Sequence, residues 1–222
     1  MCGRFTITLP ASVIQEELEL GEMPAGWEPR FNVAPSQPIP VVKDAEDRKV
    51  EWMYWGLVPS WAKDVSIGQK MINARSETLS EKPSFRNAFQ RRRCLIVADG
   101  FYEWKRPGGK AGPAVPFYFQ RKDKRPFMFA GLWEYWTSSQ GDELVSSTII
   151  TCQANALVAE IHPRMPVILP DETHWEWLKP QPPDQLKRML MPFDEKLMTG
   201  YEVSRKVNSA QIDAPNLIES VR

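Results

Sequence analysis

The chain has 222 residues, 42% hydrophobic and 25% charged, which fits one soluble globular domain or a tight pair with room for a real core. Its 28 basic residues are matched by 28 acidic ones, so bulk charge draws it to no nucleic acid, and any DNA contact must come from a local basic patch. Three cysteines without a CxxC pair argue against a disulfide framework and fit a reducing compartment.

Only His162 and His174 can join the cysteines as soft metal ligands, and none has metal spacing, so no metal and no cofactor is expected. The start lacks a basic n-region and an apolar h-region, and no apolar run reaches membrane-spanning length. The expected location is the cytoplasm. Twenty prolines favour turns and edges over long helices.

In chain order, the apolar start MCGRFTI precedes ASVIQEELEL, where Ser12 with Gln15 resembles a capping box and Ile14 and Leu18 share one helical face. A turn-rich stretch becomes extended toward Val41 and Val42, and VEWMYWGLVP reads as a strand. SWAKDVSIGQKMINARSETLSEKPSF is a long polar loop of the kind that carries function. SFRNAFQ reads as a short helix with Phe85 and Phe89 on one side.

RCLIVADGFYEWK has an apolar run, a DG turn or bulge and an aromatic alternation. PFYFQRK and PFMFAGLWEYW flank a short turn in RKDKRP and suggest a hairpin. SSTIITCQA is β-branched, ANALVAEIH reads as a helix, and RMPVILP as a short strand. Asp171 and Asp184 are expected helix caps, with Leu186 and Leu190 inside the second helix, and YEVSRKVN is a last strand. The expectation is a single compact α+β domain over residues 1–222, β-rich and antiparallel, with short helices outside.

Four places can carry chemistry. Cys2 lies directly behind the initiator methionine, and a small second residue permits removal of Met1. The mature chain would then offer an α-amine and a thiol on adjacent carbons. An α-amine titrates near ~7.7–8.0 against ~10.4 for lysine, so it is partly free base at neutral pH and can attack an aldehyde. The plain alternative for Cys2 is a small buried hydrophobe.

NARSE offers Asn73 to orient a reacting oxygen and Arg75 to hold a phosphate or carboxylate, against the alternative of a loop stitched by its own side chains. Glu103 sits among Phe101, Tyr102 and Trp104; buried, its pKa rises and suits proton transfer, and on an edge it meets water. Alternation puts Phe101 with Glu103 on one face and Tyr102 with Trp104 on the other. His162 lies between a helix end and a strand and is either a general acid–base or a hydrogen-bonded structural histidine. His174, beside Trp175, reads as a surface residue.

Arg91, Arg92 and Arg93 enter a strand together and read as a solvated face. Arginines beside an exposed aromatic such as Trp61 would instead suit single-stranded nucleic acid.

MCGRF, RFNVAPSQ, WGLVPSWAKD, MINARSET, FRNAFQRRRCLIVADGFYEW, FAGLWE, TIITCQAN and IHPRMPVIL occur in the order seen in the SRAP (SOS response-associated peptidase) family, and the chain resembles it from Cys2 to about Asn208. The resemblance implies a compact α+β fold with a barrel-like sheet and a groove for single-stranded DNA. It implies a sensor of abasic sites in which Cys2 forms a thiazolidine crosslink with the sugar aldehyde. Asn73, Glu103 and His162 would complete the catalytic set, while Arg4, Arg75 and Arg164 map onto DNA-contacting positions and Trp61 onto a wedge against unstacked bases. Where the family often reads HDR, this chain reads HPR at 162–164, which changes the loop but keeps the imidazole and Arg164.

The implied partner is abasic single-stranded DNA, bound by a monomer and placing the protein at the nucleoid when engaged. Two other readings are open: a thiol peptidase with Cys2 as nucleophile, including self-removal of Met1, and a non-catalytic single-strand binding module.

Overall fold

The structure, a computed structural model, describes residues 2–106 and 113–221. The first half contributes strands β1 (Phe5–Ile7), β2 (Arg30–Val33), β3 (Pro38–Val42), β4 (Val50–Trp55), β5 (Asn73–Arg75), β6 (Arg93–Ala98) and β7 (Gly100–Lys105), with helices α1 (Ala11–Glu17) and α2 (Pro83–Arg91). The second half adds β8 (Val115–Arg121), β9 (Phe127–Thr137), β10 (Glu143–Gln153), β11 (Arg164–Pro166), β12 (Ile168–Leu169) and β13 (Met198–Glu202), with α3 (Ala156–Ala159) and α4 (Pro183–Met189).

Five strands close on themselves. β3 pairs with β4 and β6, β6 with β9, β9 with β10, and β10 returns to β4. The closing β10–β4 ladder is parallel, as is β10–β5, while the other ladders of the ring are antiparallel as expected. Closure leaves this ring no free edge. A second sheet, in the order β13-β8-β7-β1-β2, lies against it.

The alternation read in GFYEW decides how the layers join. Phe101 faces the main core, stacked on Phe119 at 5.2 Å and edge-on to Phe129 at 6.3 Å. Phe5 of β1 meets Trp55 (5.1 Å) and Phe129 (5.9 Å) from the same side. Each is fully buried, and truncating such a ring to alanine costs about 3–5 kcal/mol. Tyr102 and Tyr118 point the other way, where Val203, Val207 and Leu217 of the C-terminal segment cover them. At Gly100 a Cβ would stand 2.1 Å from the Tyr118 hydroxyl, so only glycine fits.

Several local expectations change. Ser12 and Gln15 form no capping box: α1 starts after Pro10 with no side-chain cap, and Gln15 Nε2 donates to Gly21 O (2.6 Å). Asp171 caps nothing but receives Arg121 (2.8 Å) and Arg125 (3.2 Å), and α4 begins after Pro182, with Asp184 in its first turn. β8 and β9 are no hairpin; the turn between them carries the chain from the outer sheet into the ring, because β8 is already flanked by β7 and β13. His174 is buried rather than on the surface, edge-on to Trp175 at 4.9 Å. Arg93 is buried too, its guanidinium donating to the carbonyls of Phe89, Gln90, Trp177 and Lys179, so the arginine run is no basic patch.

Candidate active site

The site forms where the chain's start crosses both sheets. β1 pairs antiparallel with β7, Phe5 opposite Phe101, and Tyr102 N donates to Arg4 O (3.0 Å). Continued to the chain's start, that register sets Gly3 opposite Glu103, and Cys2 lies close enough for the Glu103 charge to act on its thiol. From the ring, β5 runs parallel to β10, with Asn73 opposite Ile149. Asn73 Nδ2 donates to Cys2 O at 2.7 Å, tying the first described residue to β5. Asn73 Oδ1 is buried with no hydrogen-bond partner among the described residues, a free acceptor next to Cys2.

Cys2 is fully buried, and its Sγ lies 3.6 Å from Arg4 O. Burial, then the Glu103 charge, pushes the thiol far above its ordinary range, so it is a neutral thiol at pH 7. Glu103 is 2% exposed, and burial raises its carboxyl to about 7. The buried reading of Glu103 therefore holds.

His162 follows α3, with its amide donating to Val158 O (2.9 Å). Its Nδ1 lies 3.9 Å from Glu103 Oε1 and 3.1 Å from both the amide nitrogen and the carbonyl oxygen of Arg164. Burial lowers its pKa. Pro163 is accommodated, its carbonyl accepting from Ala154 N (3.1 Å). Cys2, Asn73, Glu103 and His162 are thus brought to one place by four separate segments.

The four DNA-contact candidates differ in freedom. Arg75 is exposed at the end of β5, two residues beyond Asn73. Trp61 is 59% exposed over a shallow recess shared with Lys63, Asp64 and Lys70, and Trp136 Nε1 pins the adjacent Ala62 O (2.7 Å). Arg4 is more committed: Nη1 donates to Asn32 Oδ1 (2.7 Å) and Val207 O (2.9 Å), and the guanidinium lies 5.9 Å from the Trp104 ring. Arg164 is held by Glu77 and Thr151.

Two supporting residues escaped sequence reasoning. Asp99 is buried and accepts from Thr6 Oγ1 (2.5 Å), Thr8 Oγ1 (2.8 Å), Leu9 N (3.1 Å) and Thr8 N, clamping the chain just after β1. Buried Asn32 donates to Ser209 O (2.9 Å) and Ile212 O (2.6 Å) while receiving Arg4, fastening the C-terminal segment near the site. An acidic residue in an otherwise apolar run was the available signal for Asp99; Asn32 had none.

The family model for SOS response associated peptidase (SRAP) matches residues 1–210. The chain belongs to the SRAP family. It is 47% identical over 225 residues to the abasic site processing protein YoqW of Bacillus subtilis (strain 168), covering 99% of this chain and all of that one. The abasic site processing protein HMCES of Xenopus tropicalis is 29% identical over 265 residues, covering all of this chain and 78% of the relative. A crystal structure of a protein from Bacteroides thetaiotaomicron superposes with a TM-score of 0.88 at 25% identity, each chain covered in full. That superposition spans the whole mixed fold, closed five-stranded barrel included.

Proposed function

We propose that this protein processes abasic sites in DNA, capturing them in single strands as a covalent adduct on Cys2. The observation that carries the reading is the seating of Cys2 between Asn73 and Glu103, with His162 beside Glu103. The names of its SRAP relatives supply the substrate class.

The chemistry begins with removal of Met1, which lies outside the described residues. The α-amine of Cys2, freed by that removal, attacks C1′ of the ring-opened sugar, the carbinolamine loses water, and an imine forms. The thiol then adds to the imine carbon while its proton passes to the imine nitrogen, closing a five-membered thiazolidine with water as the only by-product. No oxidant or cofactor is needed for that balance.

The thiol is held neutral, so the amine acts first and sulfur adds second, through proton transfer. Glu103, poised near 7, takes the proton from the ammonium form of the amine. His162 moves the proton that opens the sugar ring and, in the reverse direction with water added back, the proton that releases the adduct as free aldehyde. Asn73 fixes the Cys2 carbonyl and offers its free Oδ1 to the amine or a sugar hydroxyl. Arg75, Arg4 and Arg164 would meet phosphates, and Trp61 an unstacked base.

The peptidase reading is weaker. A thiol protease needs thiolate character, and both burial and Glu103 work against it at Cys2. We also take residues 1–222 as one SRAP domain, supported by the bonds from Arg4 and Asn32 to the C-terminal segment. A monomer in the cytoplasm, moving to the nucleoid when engaged on DNA, completes the reading. Among the described residues no helix is long and apolar enough to cross a membrane.

Intact-mass spectrometry before and after incubation with a single-stranded oligonucleotide carrying one abasic site tests the proposal. The expected result is loss of Met1 and a one-to-one adduct that survives denaturation. Loss of Met1 without an adduct would sink the crosslinking reading and turn attention to peptide substrates.

A further inference from the structure

Glu77 is the one charged residue of the NARSE stretch that the crosslinking chemistry leaves unused. It lies in the single turn Ser76–Thr78 after β5, with its side chain 51% exposed. Its carboxylate makes a two-pronged pair with Arg164: Nη1 to Oε1 at 2.5 Å and Nη2 to Oε2 at 3.0 Å.

The two partners are not equally free. The Arg164 side chain is only 16% exposed, and its Nη2 also donates to Thr151 O at 2.6 Å. The guanidinium is therefore aimed from a fixed base, and Glu77 is the exchangeable member. A carboxylate and a phosphodiester present the same pair of acceptor oxygens to such a fork. Glu77, half in solvent, can be rehydrated as it leaves, and an incoming phosphate keeps the largely buried guanidinium paired throughout. Arg75, exposed two residues before Glu77, offers a second cation on the same segment.

We propose that Glu77 stands in for a DNA phosphate, filling the Arg164 fork in the free protein and giving it up to a phosphate of the bound strand. The inference rests on the DNA reading above. It makes Glu77 a specificity determinant: it masks one cation until a strand is correctly seated. Because the Arg164 backbone also holds His162, the exchange takes place two residues away from the acid–base machinery.

The test uses a single-stranded oligonucleotide without an abasic site, so binding is read apart from crosslinking. Affinity is measured by fluorescence anisotropy from about 50 to 200 mM salt, where phosphate contacts register as slope. Glu77→Gln should bind several-fold tighter than wild type. The charge-neutral double variant, Glu77→Gln with Arg164→Gln, should bind several-fold more weakly, with the log–log salt slope flatter by about 0.7, one single-strand phosphate contact.

If the ion pair is a fixed structural brace, replacing it by two neutral amides leaves affinity and slope at wild-type values, and that result overturns the proposal. Should the double variant fail to fold, the exposed single variant decides: a Glu77→Gln protein that binds no tighter also overturns it. Wild-type protein with no measurable single-strand binding would instead sink the DNA reading itself.

Discussion

The backbone of Arg164 grips the imidazole of His162: Nδ1 is 3.1 Å from the Arg164 amide nitrogen and 3.1 Å from its carbonyl oxygen. With the ring neutral, Nδ1 accepts from the amide and the proton sits on Nε2. When the ring gains a proton, Nδ1–H can donate to the carbonyl instead. One backbone unit therefore serves both protonation states without a ring flip, which suits a group that shuttles protons. Burial lowers the His162 pKa, so the neutral Nε2–H form should dominate at pH 7.

His162→Gln should slow both adduct formation and adduct reversal by about 10²–10⁴-fold, the usual range for a lost acid–base group. Quenched single-turnover assays on abasic oligonucleotide read both rates. Unchanged reversal in that variant would remove His162 from the proton path.

Glu103 gives a pH prediction with a definite sign. Its carboxyl is raised from an ordinary 4.5 to about 7, mainly by burial, and the base role needs the ionised form. The crosslinking rate should climb as pH rises through about 7, and Glu103→Gln should flatten that limb. Stability runs the other way. The folded state holds the Glu103 proton more tightly than the unfolded chain, so stability falls between about 4.5 and 7 and is level above, a loss of roughly 3 kcal/mol at most. Glu103→Gln should therefore gain in melting temperature relative to wild type at pH 8 compared with pH 4. Parallel melting curves at the two pH values would refute the raised pKa.

What the sequence disclosed, and what it withheld, follows from how far each signal reaches. The alternation in GFYEW put Phe101 and Tyr102 on opposite faces, because side-chain direction in a strand is a local property, while which face meets the main core is set by packing. The site residues came from motif order, not from periodicity. No local rule brings Asn73, Glu103 and His162 to Cys2; the β1–β7 and β5–β10 pairings do that, and pairing is non-local. The same limit explains the missed hairpin. The turn after Arg121 is real, but it joins two sheets, and turn chemistry does not say which strands pair. His174 read as a surface residue of a capped helix beside Trp175, while its burial comes from packing that neighbouring residues do not reveal.

Exposure separates two of the proposed DNA contacts from the other two. Trp61 is 59% exposed, so Trp61→Ala should leave the melting temperature nearly unchanged. It should weaken single-strand binding by about 1–3 kcal/mol if a base stacks on the ring. Arg75→Ala should lower affinity and flatten the salt slope by about 0.7. Anisotropy titrations at several salt concentrations check both, and an unchanged slope for Arg75→Ala would move that residue out of the groove.

Cys2 is expected to be essential for the adduct and dispensable for binding. Cys2→Ala keeps the α-amine after Met1 removal but lacks sulfur, so it can form an imine and cannot close the thiazolidine. Borohydride should trap that imine, while without reductant the adduct should not survive heat. A heat-stable adduct in Cys2→Ala without reductant would refute the thiazolidine.

Asn73 allows positioning to be separated from charge. Its Nδ2 donates to the Cys2 carbonyl at 2.7 Å, so Asn73→Ala frees the end of the chain that carries the nucleophile. Losing one such bond, about 1 kcal/mol, together with a looser attack geometry, should slow crosslinking at saturating DNA by about tenfold or more. Affinity should be unchanged, because the proposed chemistry has Asn73 meet the reacting sugar rather than the strand. Asn73→Asp is nearly isosteric but turns an acceptor toward the Cys2 carbonyl and adds a second carboxylate to the site. Like charges raise each other's pKa, so the pH midpoint assigned to Glu103 should move upward in Asn73→Asp and stay near 7 in Asn73→Ala. Single-turnover rates across pH 5.5 to 9 compare the two variants. Equal midpoints would mean that Asn73 and Glu103 do not share one electrostatic environment, and the site would have to be rebuilt without Asn73.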